Sequence, residues 1–377
     1  MRVAIVHPIF LELGGAERVL EVIASLYPNA DMYTVVADKH CIPQSLQHRH
    51  ITESPLRHIK ILNKIGIRTA PLYYTPILPW AIESLDLTDY DVIISDCNTM
   101  LMGVHTRPDA VHVCYCHTPT RSLWDSYVSY RQHMPNLLRK LFVYFASSMR
   151  IWEFCAAQRV NLFISNSENV AQRVSCYYRR NSVILYPPVK VEDGFISEKH
   201  ENYYLHIGRL DATKRIDLLI SACNRLGRKL IIAGSGKEEK TLKALAGSTI
   251  TFLGRVDDSS LASLYSKCRA FLFAADEDCG MTPIEAQSYG KPVIAYGAGG
   301  SLETVCVDRI DGFPNTGMYF YTQTVDAVVE AIIDFEKNEH NFNATSIRRF
   351  SERFSTDSFK TKFVEIVSDI VQKRKYV

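Results

Sequence analysis

Short apolar runs, each bounded by glycine, proline or charge, recur along the whole chain. In the first half they stand at 2–7, 32–37, 91–95, 111–116, 161–165 and 182–187; a second set occupies 203–208, 229–234, 250–254, 270–275 and 292–297. Runs that are continuous rather than alternating predict strands buried on both faces. Stretches of helical period separate them, and strand–helix–strand alternation predicts parallel sheets. Between the two sets lies "YPPVKVEDGFISEKHEN", with two prolines, several charges and little periodicity, which reads as a linker. The fold class expected is α/β, two Rossmann-like parallel-sheet domains at 1–187 and 188–354, followed by an amphipathic helix at 355–377 that opens on a Ser/Thr/Asp cluster and ends basic. Ligand loops are then expected at the carboxyl ends of both sets of strands.

Composition narrows the class. A chain of 377 residues exceeds one ordinary core and suits two domains. Its 47% apolar and 22% charged residues are those of a globular protein, and a net charge of +2 gives no reason to expect nucleic acid as a partner. No apolar stretch approaches the roughly 18 residues that span a bilayer. The start reads as a strand and not a secretion signal, because His7 and Pro8 interrupt the apolar run and no small-residue cleavage site follows. The ten cysteines show no paired metal spacing, which suits reduced thiols in a cytosol. "CYCH" at Cys114, Cys116 and His117 lacks a second Cys/His pair, so no metal site is expected.

Three turns carry candidate chemistry. After the first strand, Gly14 and Gly15 precede a helix and would allow close backbone approach of an anion to free N–H groups; the G-x-G-x-x-G spacing of nicotinamide enzymes is missing. In the second half Gly208 and Arg209 end a strand while Lys214 and Arg215 open the next helix. Cations at a helix amino terminus oppose its dipole. Asp211 could compensate them, or a bound diphosphate could, with Arg209 as a planar fork and Lys214 as a point charge. Third, Glu277 and Glu285 bracket a strand-to-helix turn. Thr282, Pro283 and Glu285 also fit a capping box at N-cap, first and third helical positions, with Gly290 as the helix stop, a reading that explains Glu285 without a ligand but leaves Glu277 unexplained.

Taken together, "GGAERV", "YPPV", "GRLDATKR" and the E-x7-E pair Glu277 and Glu285 resemble the retaining, nucleotide-sugar-dependent glycosyltransferases of the GT-B fold, family 4, in the expected order over nearly all of the chain. A nearer likeness is to bacterial mannosyltransferases of polysaccharide and O-antigen assembly, carried by Cys116, His117, Thr118, Pro119, Arg121, Trp124 and Asp125. The chain departs from them at Cys279, where relatives often have phenylalanine, and at "DCNTMLMG", which bears on the acceptor. The resemblance implies an acceptor-binding first domain, a donor-binding second domain, a cleft between them and a last helix packed back on the first. It implies that Arg209 and Lys214 neutralise the donor diphosphate, that Gly14 and Gly15 approach it from the facing domain, that Gly280, Met281 and Thr282 line the donor site, that Glu285 accepts from the ribose and Glu277 from the sugar, and that His117 faces the reacting carbon. Arg121, Trp124 and Asp125 fall on the acceptor side.

Mannose from GDP-mannose is the implied donor and a glycan on a polyprenyl diphosphate the implied acceptor; a UDP-sugar donor, or a nucleotide-sugar epimerase of the same fold, stays open. No cofactor and no metal are expected, since two cations and a helix start can balance the leaving diphosphate. Glu277 is a candidate nucleophile for a double displacement, whereas the family favours same-face attack with Glu277 positioning and stabilising charge; His117 could act as a base or shape the pocket. Residues 54–80 carry Arg57, Lys60, Lys64 and Arg68 without an acid, and "RKLFVYFASSMRIWEF" mixes bases with aromatics. Both suit peripheral contact with an anionic membrane at its cytoplasmic, inner face, or a solvated basic face over a core.

Overall fold

The computed structural model describes residues 1–11, 14–59, 77–197, 200–307 and 314–375; Lys60, Lys64 and Arg68 lie outside the described residues. The chain forms two compact units, Met1–Tyr186 together with the chain from Lys360 onward, and Pro187–Phe359.

The first unit carries a seven-stranded sheet of β1 (Val3–Phe10), β2 (Asp31–Ala37), β3 (Ile51–Glu53), β4 (Val92–Cys97), β5 (Val111–Cys116), β6 (Leu162–Ser165) and β7 (Ser182–Ile184). Their order is β3-β2-β1-β4-β5-β6-β7 and every pairing is parallel. The second unit has β8 (Tyr204–Ile207), β9 (Leu230–Ala233), β10 (Ile250–Gly254), β11 (Ala270–Phe273), β12 (Val293–Tyr296) and β13 (Gly317–Phe320), in the order β10-β9-β8-β11-β12-β13, again all parallel. Both sheets are doubly wound with the same strand order. Each therefore reverses direction once, between β1 and β4 and between β8 and β11, and at such a point the loops leaving the carboxyl ends diverge and open a crevice.

The expected strands form because central positions are sealed on both faces: Ala4, Ile5 and Val6 of β1, Ile93 and Ile94 of β4, and Phe271 and Leu272 of β11 are wholly buried. Two strands escaped the sequence reading. β3 reads Ile-Thr-Glu, an edge strand with one apolar side chain. β13 starts at Gly317, where a Cβ would lie 2.0 Å from the Val293 carbonyl oxygen, so a residue that looks like a turn is what lets the strand approach β12.

Helices bury one stripe each. In Gly15–Leu26 the stripe is Val19, Leu20, Ile23 and Ala24. The final helix, Thr356–Lys375, begins where the Ser358 amide donates to Ser355 Oγ at 3.2 Å, and it buries Phe359, Phe363 and Val367 one turn apart. Phe363 lies with its ring centroid 6.5 Å from that of Tyr115, and Arg374 donates to the Pro108 carbonyl. The stretch read as a linker is partly built into the second unit: Val189 and Val191 are buried, and the Val189 amide donates to the Phe354 carbonyl at 2.9 Å.

Two glycines separate backbone strain from steric collision. Gly227 ends a helix at φ +63° with no atom near a would-be Cβ, whereas Gly234 has φ +140° and a Cβ there would sit 1.9 Å from the Gly208 carbonyl oxygen. Gly227→Ala should cost about 1 kcal/mol, the left-handed penalty alone. Gly234→Ala should cost clearly more, since the backbone after β8 must move. Urea unfolding of both variants checks the order; equal midpoints would contradict it.

Candidate functional site

At the reversal point of the second sheet, β8 runs out through Gly208 and Arg209. The Gly208 amide donates to the Ala233 carbonyl at 3.1 Å and the Leu210 amide to the Ser235 carbonyl at 3.1 Å, so the loop is tied to the end of β9. Gly234 and Gly236 permit that approach: a Cβ on Gly236 would lie 2.4 Å from the Leu210 carbonyl oxygen. A single 3-10 turn, Ala212–Lys214, follows, and Arg215 at φ +49° redirects the chain into the helix Ile216–Leu226.

On the neighbouring side β11 delivers the loop 274–280. Gly300 presses against it, because a Cβ there would fall 2.4 Å from Cys279 Cα, and the Gly300 amide donates to the Glu277 carbonyl at 2.8 Å. The following helix is Met281–Ser288, entered through Gly280 at φ +78°.

These two loops bring Lys214 and Glu277 together. Lys214 Nζ donates to Glu277 Oε1 in an ion pair whose side chains are 17% and 26% exposed. Arg209 is 61% exposed, with Asp211 Oδ2 at 3.6 Å. Arg215 turns aside: Nε and Nη2 each meet an Asp217 oxygen at 3.2 Å, and Nη1 donates to Gln323 Oε1 at 3.3 Å. The cations at this helix start are thus offset by three carboxylates, not by Asp211 alone. Beneath them His206 is fully buried; burial, helped by the Lys214 charge, brings it down to about 4, and its Nδ1 donates to the Leu272 carbonyl at 2.9 Å. A neutral imidazole therefore backs the Lys214–Glu277 pair.

The capping box expected at Thr282, Pro283 and Glu285 does not form. The N-cap is Gly280, so Thr282 and Pro283 already lie in the first turn and Glu285 sits two residues too deep to reach back. Glu285 Oε2 instead accepts from the Tyr265 hydroxyl at 2.7 Å, and Tyr265 stacks on Tyr289 at 5.4 Å. Gly290 is the stop expected, at φ +70°. Gly280, Met281 and Thr282 open the helix, and a helix start with unpaired amides favours an anion.

In the first unit, Gly14 is the N-cap of its helix, and its amide donates to Glu17 Oε2 at 2.7 Å, so that N–H already has a partner within the turn. Gly15 begins the helix. His117, just past β5, is 12% exposed, and its Nε2 lies 2.5 Å from Asp96 Oδ1. Asp96 is wholly buried; burial would raise its carboxyl, but His117 and His7 outweigh that and bring it down to about 2. His7, likewise buried, is disfavoured as a cation by burial, yet Asp96 and Glu17 raise it to about 9. Neither His7 nor Asp96 was singled out from the sequence, although both are polar residues in buried strands, a mismatch that was legible.

Trp124 faces inward. Its Nε1 donates to Glu153 Oε2 at 2.6 Å and its ring stacks on Tyr177 at 5.0 Å. Glu153 is fully buried and also accepts from Thr120 Oγ1 at 2.5 Å and Tyr178 at 2.9 Å; burial raises its carboxyl. Trp124 thus anchors the segment, while Arg121 and Asp125 pair at 3.2 Å nearer the surface, with Arg173 3.6 Å from Asp125. Cys114 and Cys116 are buried in β5, and burial pushes the Cys114 thiol well up. Among the described residues no group of three or more His, Cys, Asp or Glu is arranged to hold a metal ion.

Residues 192–353, nearly the whole second unit, match the family of glycosyl transferases group 1. Along 98% of its length the chain superposes on the whole of HepE from Anabaena, a structure solved with UDP, at TM-score 0.72 and 17% identity. It also covers the whole of sucrose-phosphate synthase from Thermosynechococcus elongatus at TM-score 0.69 and 16% identity, again over 98% of this chain. The alpha-1,3/1,6-mannosyltransferase ALG2 of Kluyveromyces lactis is 25% identical over 99% of this chain and 86% of its own. The chain is a glycosyltransferase of the GT-B fold. A bacterial relative of this glycosyltransferase, the O-antigen chain mannosyltransferase C of Escherichia coli, is 25% identical over 46% of this chain and 48% of the relative.

The buried His7–Asp96 pair gives the first unit a pH signature. His7 is raised to about 9, so its contribution is complete below its unfolded value near 6.5 and is lost as pH climbs through 9. Asp96 is lowered to about 2, so its share is complete above about 3.8 and is lost as pH falls through 2. Urea midpoints should hold level from pH 5 to 6 and then decline towards pH 9.5. A midpoint unchanged at pH 9.5 would contradict the pairing.

Proposed function

We propose that this glycosyltransferase moves mannose from GDP-mannose, with retention, onto a glycan carried by a polyprenyl diphosphate, in the building of a cell-surface polysaccharide or O-antigen. The observation that carries the reading is the Lys214–Glu277 pair at the reversal point of the second sheet, in a chain whose relatives of nearly full coverage are named mannosyltransferases. A cation already held on a carboxylate is preorganised. When a diphosphate arrives, Lys214 exchanges the carboxylate for phosphate oxygen, and Glu277 is released to accept from hydroxyls of the sugar.

Cleavage between the anomeric carbon and the phosphate puts negative charge on the departing diphosphate and positive charge on the sugar. Lys214, Arg209 and the amides opening the helix at Met281 and Thr282 meet the first charge, and they bind it more strongly as it develops, which is what lowers the barrier. Glu277 lies beside the second. The leaving phosphate then takes the acceptor's proton on the face it vacates. Glu285 accepts from the ribose of the donor. No metal is required in this scheme, because side-chain cations and helix amides supply the countercharge.

Peripheral membrane contact is proposed for the helix Asn136–Gln158. Its outer side exposes Leu141, Tyr144 at 77%, Ile151 at 65% and Phe154. Beside them opens a groove of about 550 Å³ lined by Arg131, Gln132, Arg139, Lys140, Val143 and Tyr144. Aromatic and aliphatic side chains flanked by bases suit an anionic leaflet at the cytoplasmic face.

Lys214→Ala should reduce turnover by about 10²–10³-fold while the chain stays folded. Glu277→Ala should lose transfer yet still bind GDP by calorimetry, and native turnover should survive a chelator. Unchanged transfer in Lys214→Ala, or conversion of donor without acceptor as seen by NMR, would refute the transferase scheme. Separately, Tyr144→Ser combined with Ile151→Ser should weaken co-sedimentation with phosphatidylglycerol vesicles; undiminished binding would remove this helix from the membrane.

A further inference from the structure

His7 and Asp96 take no part in the transfer chemistry assigned above, yet both are polar and wholly buried. Three neighbouring strands bring them to His117. β1 and β4 are in register at Val6 and Ser95, so the next residues, His7 and Asp96, emerge side by side. β5 pairs Cys116 with Cys97, which places His117 on the other flank of Asp96. The two carboxylate oxygens are divided between the rings: Oδ2 lies 2.8 Å from His7 Nδ1 and Oδ1 2.5 Å from His117 Nε2.

An ionised carboxylate can only accept, so both of those ring nitrogens must carry hydrogen. Glu17 Oε1 stands 3.5 Å from His7 Nε2, an ion-pair distance, so His7 has a carboxylate at each nitrogen and holds a proton on each. Its positive charge compensates Asp96, and the two are fixed by burial. Whenever the His117 ring is neutral, the carboxylate leaves it one arrangement, a proton on Nε2 and a bare Nδ1.

We infer that Asp96, secured by His7, sets the tautomer of the neutral His117 ring, so that its Nδ1 accepts a hydrogen bond from a substrate hydroxyl. His7 and Asp96 are positioning residues. The tautomer stands on geometry alone; what it does for transfer rests on the function proposed above. No covalent step is involved, and the proton on Nε2 stays on the Asp96 side throughout.

Nitrogen-15 NMR of the histidine rings in the full chain, with His117 assigned by its disappearance in His117→Gln, reads the tautomer directly. The expected spectrum shows an unprotonated Nδ1 and a protonated Nε2 for His117. Asp96→Asn, whose amide can donate as well as accept, should redistribute that proton and lower kcat by about 10- to 100-fold, with KM for the donor moving less than about threefold. His7→Gln keeps a donor to Asp96 but removes the charge, and should fall between native and Asp96→Asn in both readouts. A native spectrum with the proton on Nδ1 overturns the inference, as does Asp96→Asn with a native tautomer and a native kcat. Should Asp96→Asn fail to fold, the native spectrum and His7→Gln decide it. The expected spectrum in a protein that transfers no sugar would support the tautomer and sink the transferase reading instead.

Discussion

An ammonium and a carboxylate at the end of a parallel sheet, Lys214 on Glu277, are the contact on which the reading of this protein depends. Neither side chain is deeply buried, and nothing about the core needs them to meet. A part-buried ion pair gains attraction but also costs desolvation, so it is weak evidence of a stabilising role. Paired, they keep a cation poised near a helix start where it would otherwise oppose the dipole. In the proposed scheme a diphosphate separates them into a phosphate ligand and a hydroxyl acceptor.

Backbone contacts make the poise possible. The two loops reach one another because the second sheet reverses between β8 and β11, and they keep their shape because glycines at 234, 236 and 300 admit carbonyl and Cα atoms into the space of a missing Cβ. The first unit repeats the same strand order but fills its reversal point differently, with a buried chain of carboxylates and histidines around Asp96. One architecture thus presents cations and helix amides, the other an imidazole.

Much of this was legible in the sequence. Parallel sheets followed from short apolar runs separated by helical stretches, because strands sealed on both faces cannot alternate. Lys214 and Glu277 were legible as charges at strand ends. What escaped was set by tertiary contact. The capping box failed because Gly280, through its left-handed backbone, begins the helix two residues before the threonine that looked like its cap. β13 was missed because its first glycine serves packing and not a turn. The Trp124 indole donates to Glu153, a partner nearly thirty positions away that no spacing rule points to. His7 and Asp96 were hidden in strands whose apolar neighbours dominated the pattern, though a buried polar residue is itself a signal.

The most direct test of the central pair is a crystal of the intact chain grown with GDP-mannose. The Lys214 assignment predicts that Nζ leaves Glu277 for a phosphate oxygen of the donor, with Glu277 accepting from hydroxyls of the hexose. A bound donor whose diphosphate lies elsewhere while Lys214 still rests on Glu277 would contradict it.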